Sequence, residues 1–203
     1  MGADVLIRLA RAEDGPALAA IYAPAVAGRA TSFEAEPPDG GEMARRVERL
    51  LARTPWLVLA VDGAVAGYAY ASPHRDRAAY QWSVEVSAYV AEAAHRRGVG
   101  RALYAALFGV LALQGFRNAY AGITLPNDAS VGLHRALGFA PVGVYRGVGY
   151  KLGAWHDVAW FERALAPRDA APSPPVPLAD LCADPAGAAR VQAALRAGPA
   201  APR

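Results

Sequence analysis

One acidic side chain, Glu85, stands in an alternating run of apolar residues, Trp82, Val84, Val86 and Ala88, that reads as a half-buried strand. The chain then passes through a basic glycine loop, His95-Arg96-Arg97-Gly98-Val99-Gly100-Arg101, into a segment of helical period carrying Leu103, Leu107, Val110 and Leu111. Strand, glycine loop and helix N-terminus together form an anion cradle. Glycine lets the backbone approach a ligand closely, free N–H groups point outward, and the helix dipole favours negative charge. With a strand carboxylate beside it, the pattern implies a phosphate-bearing cofactor presented to a proton-transfer group. Neither the phosphate-loop signature nor the Gly-x-Gly-x-x-Gly dinucleotide fingerprint is present. On spacing alone, the same residues also fit an ordinary basic turn opening a surface helix.

A second polar pattern lies further along the chain. Asn127, Ser130 and His134 are spaced i, i+3, i+7 and share one face of a short helix. This stripe fits a functional face, and it equally fits a capping Asn127 with a surface histidine. Ahead of the Glu85 strand, Pro73-His74-Arg75-Asp76-Arg77 forms a basic loop. Arginine presents a planar fork of donors to carboxylate or phosphinate oxygens, so Arg75 and Arg77 suit an anionic substrate, although solvated loop charges look the same in sequence. His74 and His156 read as surface or core histidines. Neither belongs to a metal-ligand cluster, and no metal is expected.

The elements that must position these groups are read from period and punctuation. Val5 to Leu9 predicts a strand, Glu13 to about Ala25 a helix, and Asp39 to Arg53 an amphipathic helix. Trp56 to Val61 and Val65 to Ala71 predict a hairpin about Asp62-Gly63. Leu103 to Gln114 is the helix after the glycine loop, stopped by Gly115, and Tyr120 to Thr124 is a further strand. Val142 to Tyr150 and Val158 to Leu165 predict a closing strand pair joined through residues 151–157. The order is mixed α/β with an early antiparallel hairpin, not a regularly alternating doubly wound sheet.

The 203 residues suit one domain over residues 1–165, and half of the 16 prolines fall in the tail, residues 166–203. That Pro/Ala-rich tail is expected to be largely disordered or marginally helical. A lone cysteine, Cys182, excludes an internal disulfide framework and a Cys-rich zinc site. The net charge of +3 is spread along the chain, which argues against nucleic acid as a partner. No apolar run approaches the roughly 18 residues needed to cross a bilayer, and no signal peptide is evident, so a soluble cytoplasmic protein with no membrane partner is expected.

Residues 95–101 resemble the acyl-CoA loop, Gln/Arg-x-x-Gly-x-Gly/Ala, of the GCN5-related N-acetyltransferases (the GNAT superfamily). Asn127-Asp-Ala-Ser130-x-x-x-His134-Arg-Ala-Leu-Gly138-Phe139 is similar to that family's Asn-x-x-Ser/Ala…Tyr-x-x-x-Gly-Phe segment. The phosphinothricin or methionine sulfoximine N-acetyltransferase branch is suggested by Trp56-Leu-Val, Asp62-Gly-x-Val-Ala-Gly67-x-Ala-Tyr70-Ala, Ala79-Tyr80-x-Trp82-x-x-Glu85, Leu125-Pro-Asn127-Asp and Trp155-His-Asp157-Val. The likeness covers roughly residues 6–165. Two departures stand out: His95 replaces the usual Gln or Arg, and His134 stands where most of the superfamily has Tyr, as it does in the phosphinothricin branch.

The resemblance implies a GNAT fold of the α/β (α+β) class, a mixed sheet of about six to seven strands flanked by about four helices. It implies acetyl-CoA as acetyl donor, a small amino-acid-like amine as acceptor, and direct transfer without a covalent enzyme intermediate. Glu85 and His134 would be catalytic, the first as general base, with their division of labour left open. Ala88, Tyr89 and Val90 would meet the pantetheine arm and acyl carbonyl. Arg96, Arg97, Gly98, Val99, Gly100 and Arg101 would cradle the pyrophosphate, with Asn127 and Ser130 on the cofactor arm. Phe33, Arg75, Arg77 and Tyr80 would form the acceptor pocket. A homodimer is possible on the same ground, through Val158, Trp160 and Phe161. Two other readings stand beside this one: an acetyltransferase for a polyamine, an aminoglycoside or a protein N-terminus, and a non-catalytic acyl-CoA sensor.

Overall fold

The structure, a computed structural model, describes residues 3–197. Its centre is a seven-stranded sheet in the order β1-β2-β3-β4-β5-β7-β6. The strands are β1 (Val5–Leu9), β2 (Trp56–Val61), β3 (Ala64–Pro73), β4 (Ser83–Val90), β5 (Asn118–Thr124), β6 (Ala140–Lys151) and β7 (Ala154–Ala164). The β2–β3 hairpin turns at Asp62 (φ 48°) and Gly63 (φ 83°), the pair of left-handed residues that matches strand twist. Every neighbouring pair is antiparallel except β4 and β5.

Period-2 alternation sends successive side chains to opposite faces. On one face Trp56, Val58 and Tyr68 pack with Leu18, Val26, Met43 and Val47 of α1 (Gly15–Ala27) and α2 (Gly40–Leu51). On the other, Leu57, Leu59, Val84, Val86, Ala119 and Ala121 pack with Leu103, Leu107 and Leu111 of α3 (Val99–Gln114). The helix α3 begins at the glycine loop itself, not at Leu103. Gly98, at φ 76°, ends the loop in a left-handed turn, and its carbonyl accepts the N–H of Ala102. A short helix, α4 (Asp128–Ala136), carries the Asn127 stripe.

Two parts of the chain depart from expectation. Residues 166–197 are not a disordered tail: they cross the domain and end in two docked helices, α5 (Leu178–Ala183) and α6 (Pro185–Arg196). Leu178 and Leu195 are each only 2% exposed, in the same core as α3. The prolines do bar helix formation over residues 172–177, but that extended stretch is tied down. Gln114 Nε2 donates to Val176 O (2.8 Å) and Trp82 Nε1 donates to Ser173 O (2.9 Å). Asp184 then caps α6 through the Gly187 N–H, with Pro185 in the first turn. A helix as apolar as α3 needs cover on more than its sheet side, and the tail provides it.

The second departure is at the closing strands. The segment 151–157, expected as a joining loop, is mostly strand, with the turn reduced to Leu152 (φ 51°) and Gly153 (φ 77°). Val158, Trp160 and Phe161 do not form an exposed apolar surface: Phe161 is 3% exposed and the other two are half-buried. The exposed apolar side chains of this hairpin lie instead on the outer strand and its turn, at Val142, Tyr145, Val148, Tyr150 and Leu152, and on β7 at Trp155.

Candidate active site

The parallel pair carries the site. β4 and β5 share three register positions, Ser83–Asn118, Val84–Ala119 and Glu85–Tyr120, and pairing then stops. β5 continues to Thr124 against β7, and β4 to Val90 against β3, so the two strands diverge from Glu85 onward. The sides of β4 can be assigned. Ala91 N–H donates to Ala66 O on the β3 side, whereas Trp82 O accepts from Arg117 and Asn118 on the β5 side. Alternation therefore places the Val86 N–H on the last rung, with Tyr120, and aims the N–H groups of Ala88 and Val90 into the gap, where no strand meets them.

The gap opens into a cleft of about 970 Å³. Val86 to Val90 wall one side and Ala121 to Thr124 the other. The floor and rim include Gly98, Val99, Gly100 and Arg101 at the start of α3, with Tyr104, Asn127, Ser130 and His134. The first N–H groups of α3 have no intrahelical partner, and its dipole favours an anion there. Of the residues expected to hold the cofactor, Ala88, Tyr89, Val90, Arg96, Gly98, Val99, Gly100, Arg101, Asn127 and Ser130 all line this cleft; Arg97 is exposed and does not. His95 faces inward too, its Nε2 2.9 Å from Val90 O. A Cβ on Gly100 would sit 3.2 Å from Leu133 Cδ2, so the loop approaches α4 closely only because that position is bare. Unpaired strand amides, a helix N-terminus and a long cleft suit the amide arm and pyrophosphate of coenzyme A.

Glu85 and His134 are not in contact. The Glu85 side chain leaves β4 on the face opposite α3, at the point where the two strands part. Its Oε1 lies 3.0 Å from His74 Nδ1 and 3.2 Å from Arg75 Nη1. His134 stands on the α3 side of the gap, 5% exposed among Tyr104, Phe139 and Phe161. Its Nδ1 lies 2.8 Å from Ser130 O and its Nε2 3.2 Å from the Tyr104 hydroxyl. A carbonyl only accepts, so the proton is assigned to Nδ1 and the Tyr104 hydroxyl donates to Nε2. Burial lowers the pKa of His134 and, more strongly, holds Tyr104 protonated. Asn127 does cap α4, accepting the Ser130 N–H at 3.2 Å, while also lining the cleft.

Of the expected acceptor residues, Arg75 meets Glu85 directly and Tyr80 meets it through His74, whereas Phe33 and Arg77 make no contact with either. Arg75 lies over the Trp160 ring at 6.0 Å and Tyr80 lies edge-on to His74 at 6.0 Å. Phe33 comes from the 31–36 loop, which packs on the β6–β7 hairpin, where a Cβ at Gly149 would overlap its ring and Lys151 Nζ donates to Ser32 O (2.6 Å). Arg77 is exposed at the start of the turn before β4. Sequence reasoning passed over His74, Tyr104, Tyr120 and Trp160. For His74 the missing information was register: Ser72 pairs with Glu85, which brings the residue just beyond β3 alongside the carboxylate.

Comparison with known proteins agrees with this geometry. The family model described as "Acetyltransferase (GNAT) domain" matches residues 7–160. Phosphinothricin N-acetyltransferase of Streptomyces viridochromogenes is 42% identical over 174 residues, covering 86% of this chain and 93% of that protein. The L-methionine sulfoximine/L-methionine sulfone acetyltransferase of Pseudomonas paraeruginosa is 35% identical, over 82% of this chain and 98% of its own length. Among solved structures, a GNAT phosphinothricin acetyltransferase from Sinorhizobium meliloti in complex with AcCoA superposes with a TM-score of 0.79 at 38% identity, covering 85% of this chain and 94% of that one. With the split sheet, the glycine loop and these likenesses together, the chain belongs to the GNAT acetyltransferase family.

Proposed function

We propose that this enzyme transfers the acetyl group of acetyl-CoA to the amino group of a small amino-acid-like acceptor of the phosphinothricin or methionine sulfoximine type. The observation that carries the reading is the divergence of β4 and β5 at Glu85: the unpaired strand amides that line the cleft begin just beyond the rung that carries the carboxylate, although Glu85 itself does not line it. The relatives' names support the acceptor class.

The acyl donor supplies an activated thioester, and the remaining work falls to the chain. An amino-acid ammonium is protonated near neutral pH and must lose a proton before it can attack. Glu85 is the base, through Oε2, since Oε1 already receives His74 and Arg75. The N–H groups of Ala88 and Val90 hold the arm of the donor and polarise its carbonyl. Gly98 to Arg101 and Arg96 hold the pyrophosphate. The Tyr104 hydroxyl and the neutral His134 imidazole form a hydrogen-bonded pair on the other wall, the second proton-transfer group beside the base. Arg75, Arg77, Phe33 and Tyr80 bound the acceptor, whose carboxylate and second anionic group the arginine forks suit. The lone cysteine, Cys182, lies on α5 and does not line the cleft, in keeping with direct transfer.

We place the enzyme in the cytoplasm, where acetyl-CoA is made, and infer a homodimer through the exposed apolar side chains of β6. Thiol release from acetyl-CoA across a panel of amines tests the activity. Phosphinothricin and methionine sulfoximine should rank above polyamines and aminoglycosides in kcat/KM. A preference for polycations would overturn the acceptor assignment, and acetyl-CoA binding without turnover of any amine would leave an acyl-CoA sensor.

A further inference from the structure

The Glu85 carboxylate is held unevenly. Both of its hydrogen bonds arrive at Oε1, from His74 Nδ1 at 3.0 Å and Arg75 Nη1 at 3.2 Å. The His74 ring is itself fixed on three sides. It stacks on Tyr120 with centroids 4.4 Å apart and planes at 15°. Tyr80 and Trp160 meet it edge-on at 6.0 and 6.2 Å. Tyr120 is the β5 residue paired with Glu85, so the ring that anchors the imidazole sits at the last rung before the strands part. Arg75, by contrast, is half exposed and also donates to the backbone carbonyl of His74 at 2.8 Å.

We propose that His74 is a positioning residue for the acetyl-transfer base: its clamped imidazole donates from Nδ1 to Glu85 Oε1 and so turns Oε2 toward the acceptor amine. The inference rests on the reading of Glu85 as base. A carboxylate on a strand swings about two side-chain bonds before its terminal torsion. Pinning one oxygen from a ring that cannot tilt removes that freedom and gives the two oxygens different duties. Arg75 is thereby released from sole charge of orienting the base and can exchange between Glu85 and an anionic group of the acceptor. The charged and titratable groups facing the carboxylate are His74 and Arg75 beyond β3, Tyr70 on β3, Tyr120 on β5 and Tyr80 in the turn before β4.

The test uses the full chain with acetyl-CoA and an amino-acid acceptor that it turns over. His74→Phe keeps an aromatic ring against Tyr120 and removes the donor. His74→Asn restores an N–H donor near the Nδ1 position. In His74→Phe, kcat should fall by between about 10- and 100-fold through misplacement of the base. KM for acetyl-CoA should stay within about twofold, because His74 does not line the cofactor cleft. His74→Asn should recover most of the rate. On a Glu85→Gln background the Phe change should cost nothing further.

His74→Phe with unchanged kcat, beside an inactive Glu85→Gln, would overturn the positioning role and leave the base in place. Equal losses in the Phe and Asn variants would also overturn it, because they would mark a packing role. Full activity in Glu85→Gln would instead remove the base reading on which this inference stands.

Discussion

The Tyr104 hydroxyl lies 3.2 Å from His134 Nε2, and both side chains are buried at the wall of the cleft. That contact makes His134 a neutral acceptor, with its proton facing Ser130 O at 2.8 Å. Burial drives its pKa below the ordinary 6.5, so the unfolded chain takes up the proton first as the pH falls. Its contribution to stability is thus complete above about pH 6.5 and is lost as the pH drops toward the lower folded value. Urea unfolding from pH 7.5 down to 5 should show a decline in stability that is shallower in His134→Gln. An identical slope in the two proteins would contradict a buried neutral imidazole.

Gly98 holds φ 76° where the loop turns into α3. Gly98→Ala should cost about 1–2 kcal/mol of loop conformation and, by shifting the first amides of α3, raise KM for acetyl-CoA more than KM for the amine. Steady-state kinetics with each substrate varied in turn checks this. Equal rises in the two constants would argue against a pyrophosphate at that helix end.

Arg77 is exposed just before the turn that leads into β4 and does not line the cofactor cleft. Arg77→Ala should raise KM for an anionic amino acid by about tenfold, the loss of one charge-assisted hydrogen bond, and leave acetyl-CoA unaffected. Unchanged amine kinetics would return Arg77 to the solvated loop.

The C-terminal helices are part of the domain core in this structure. Leu178→Ala and Leu195→Ala, each removing a side chain that is 2% exposed, should each cost about 2–5 kcal/mol. For a chain of this length each kcal/mol lowers Tm by about 2–4 °C. Calorimetry would decide it, and near-neutral substitutions would mean that the tail does not pack in solution.

The legible parts of the fold were those written in local spacing. Asp62-Gly63 announced its hairpin, the alternation around Glu85 its strand, and Gly115 the end of α3, because each depends only on residues a few positions apart; the start of α3 was read four residues late, at Leu103 instead of Val99. The marginal helix expected in the tail is present as α6, but its docking on the core was missed for a physical reason. Proline and alanine composition says nothing about whether Leu178, Val191 and Leu195 meet an apolar surface, and that surface lies on α3, far away in sequence. The acceptor side was half legible. Arg75 could be named as a cation, but its hydrogen bond to Glu85, and the whole contribution of His74, depend on the β3–β4 register, which no turn residue specifies. Placing Glu85 and His134 on opposite sides of the strand gap likewise required the sheet order.

At the centre of the account stands Glu85, at the point where β4 and β5 part, as the proposed base that removes the proton from the acceptor amine. Replacing it by Gln keeps the shape and removes the base. Turnover of an amino-acid acceptor and equilibrium binding of acetyl-CoA should be measured on the same sample of Glu85→Gln at neutral pH. Turnover should fall by about 100-fold or more while the Kd for acetyl-CoA stays within about twofold of the unaltered enzyme. Undiminished turnover with the same pH dependence would contradict the account.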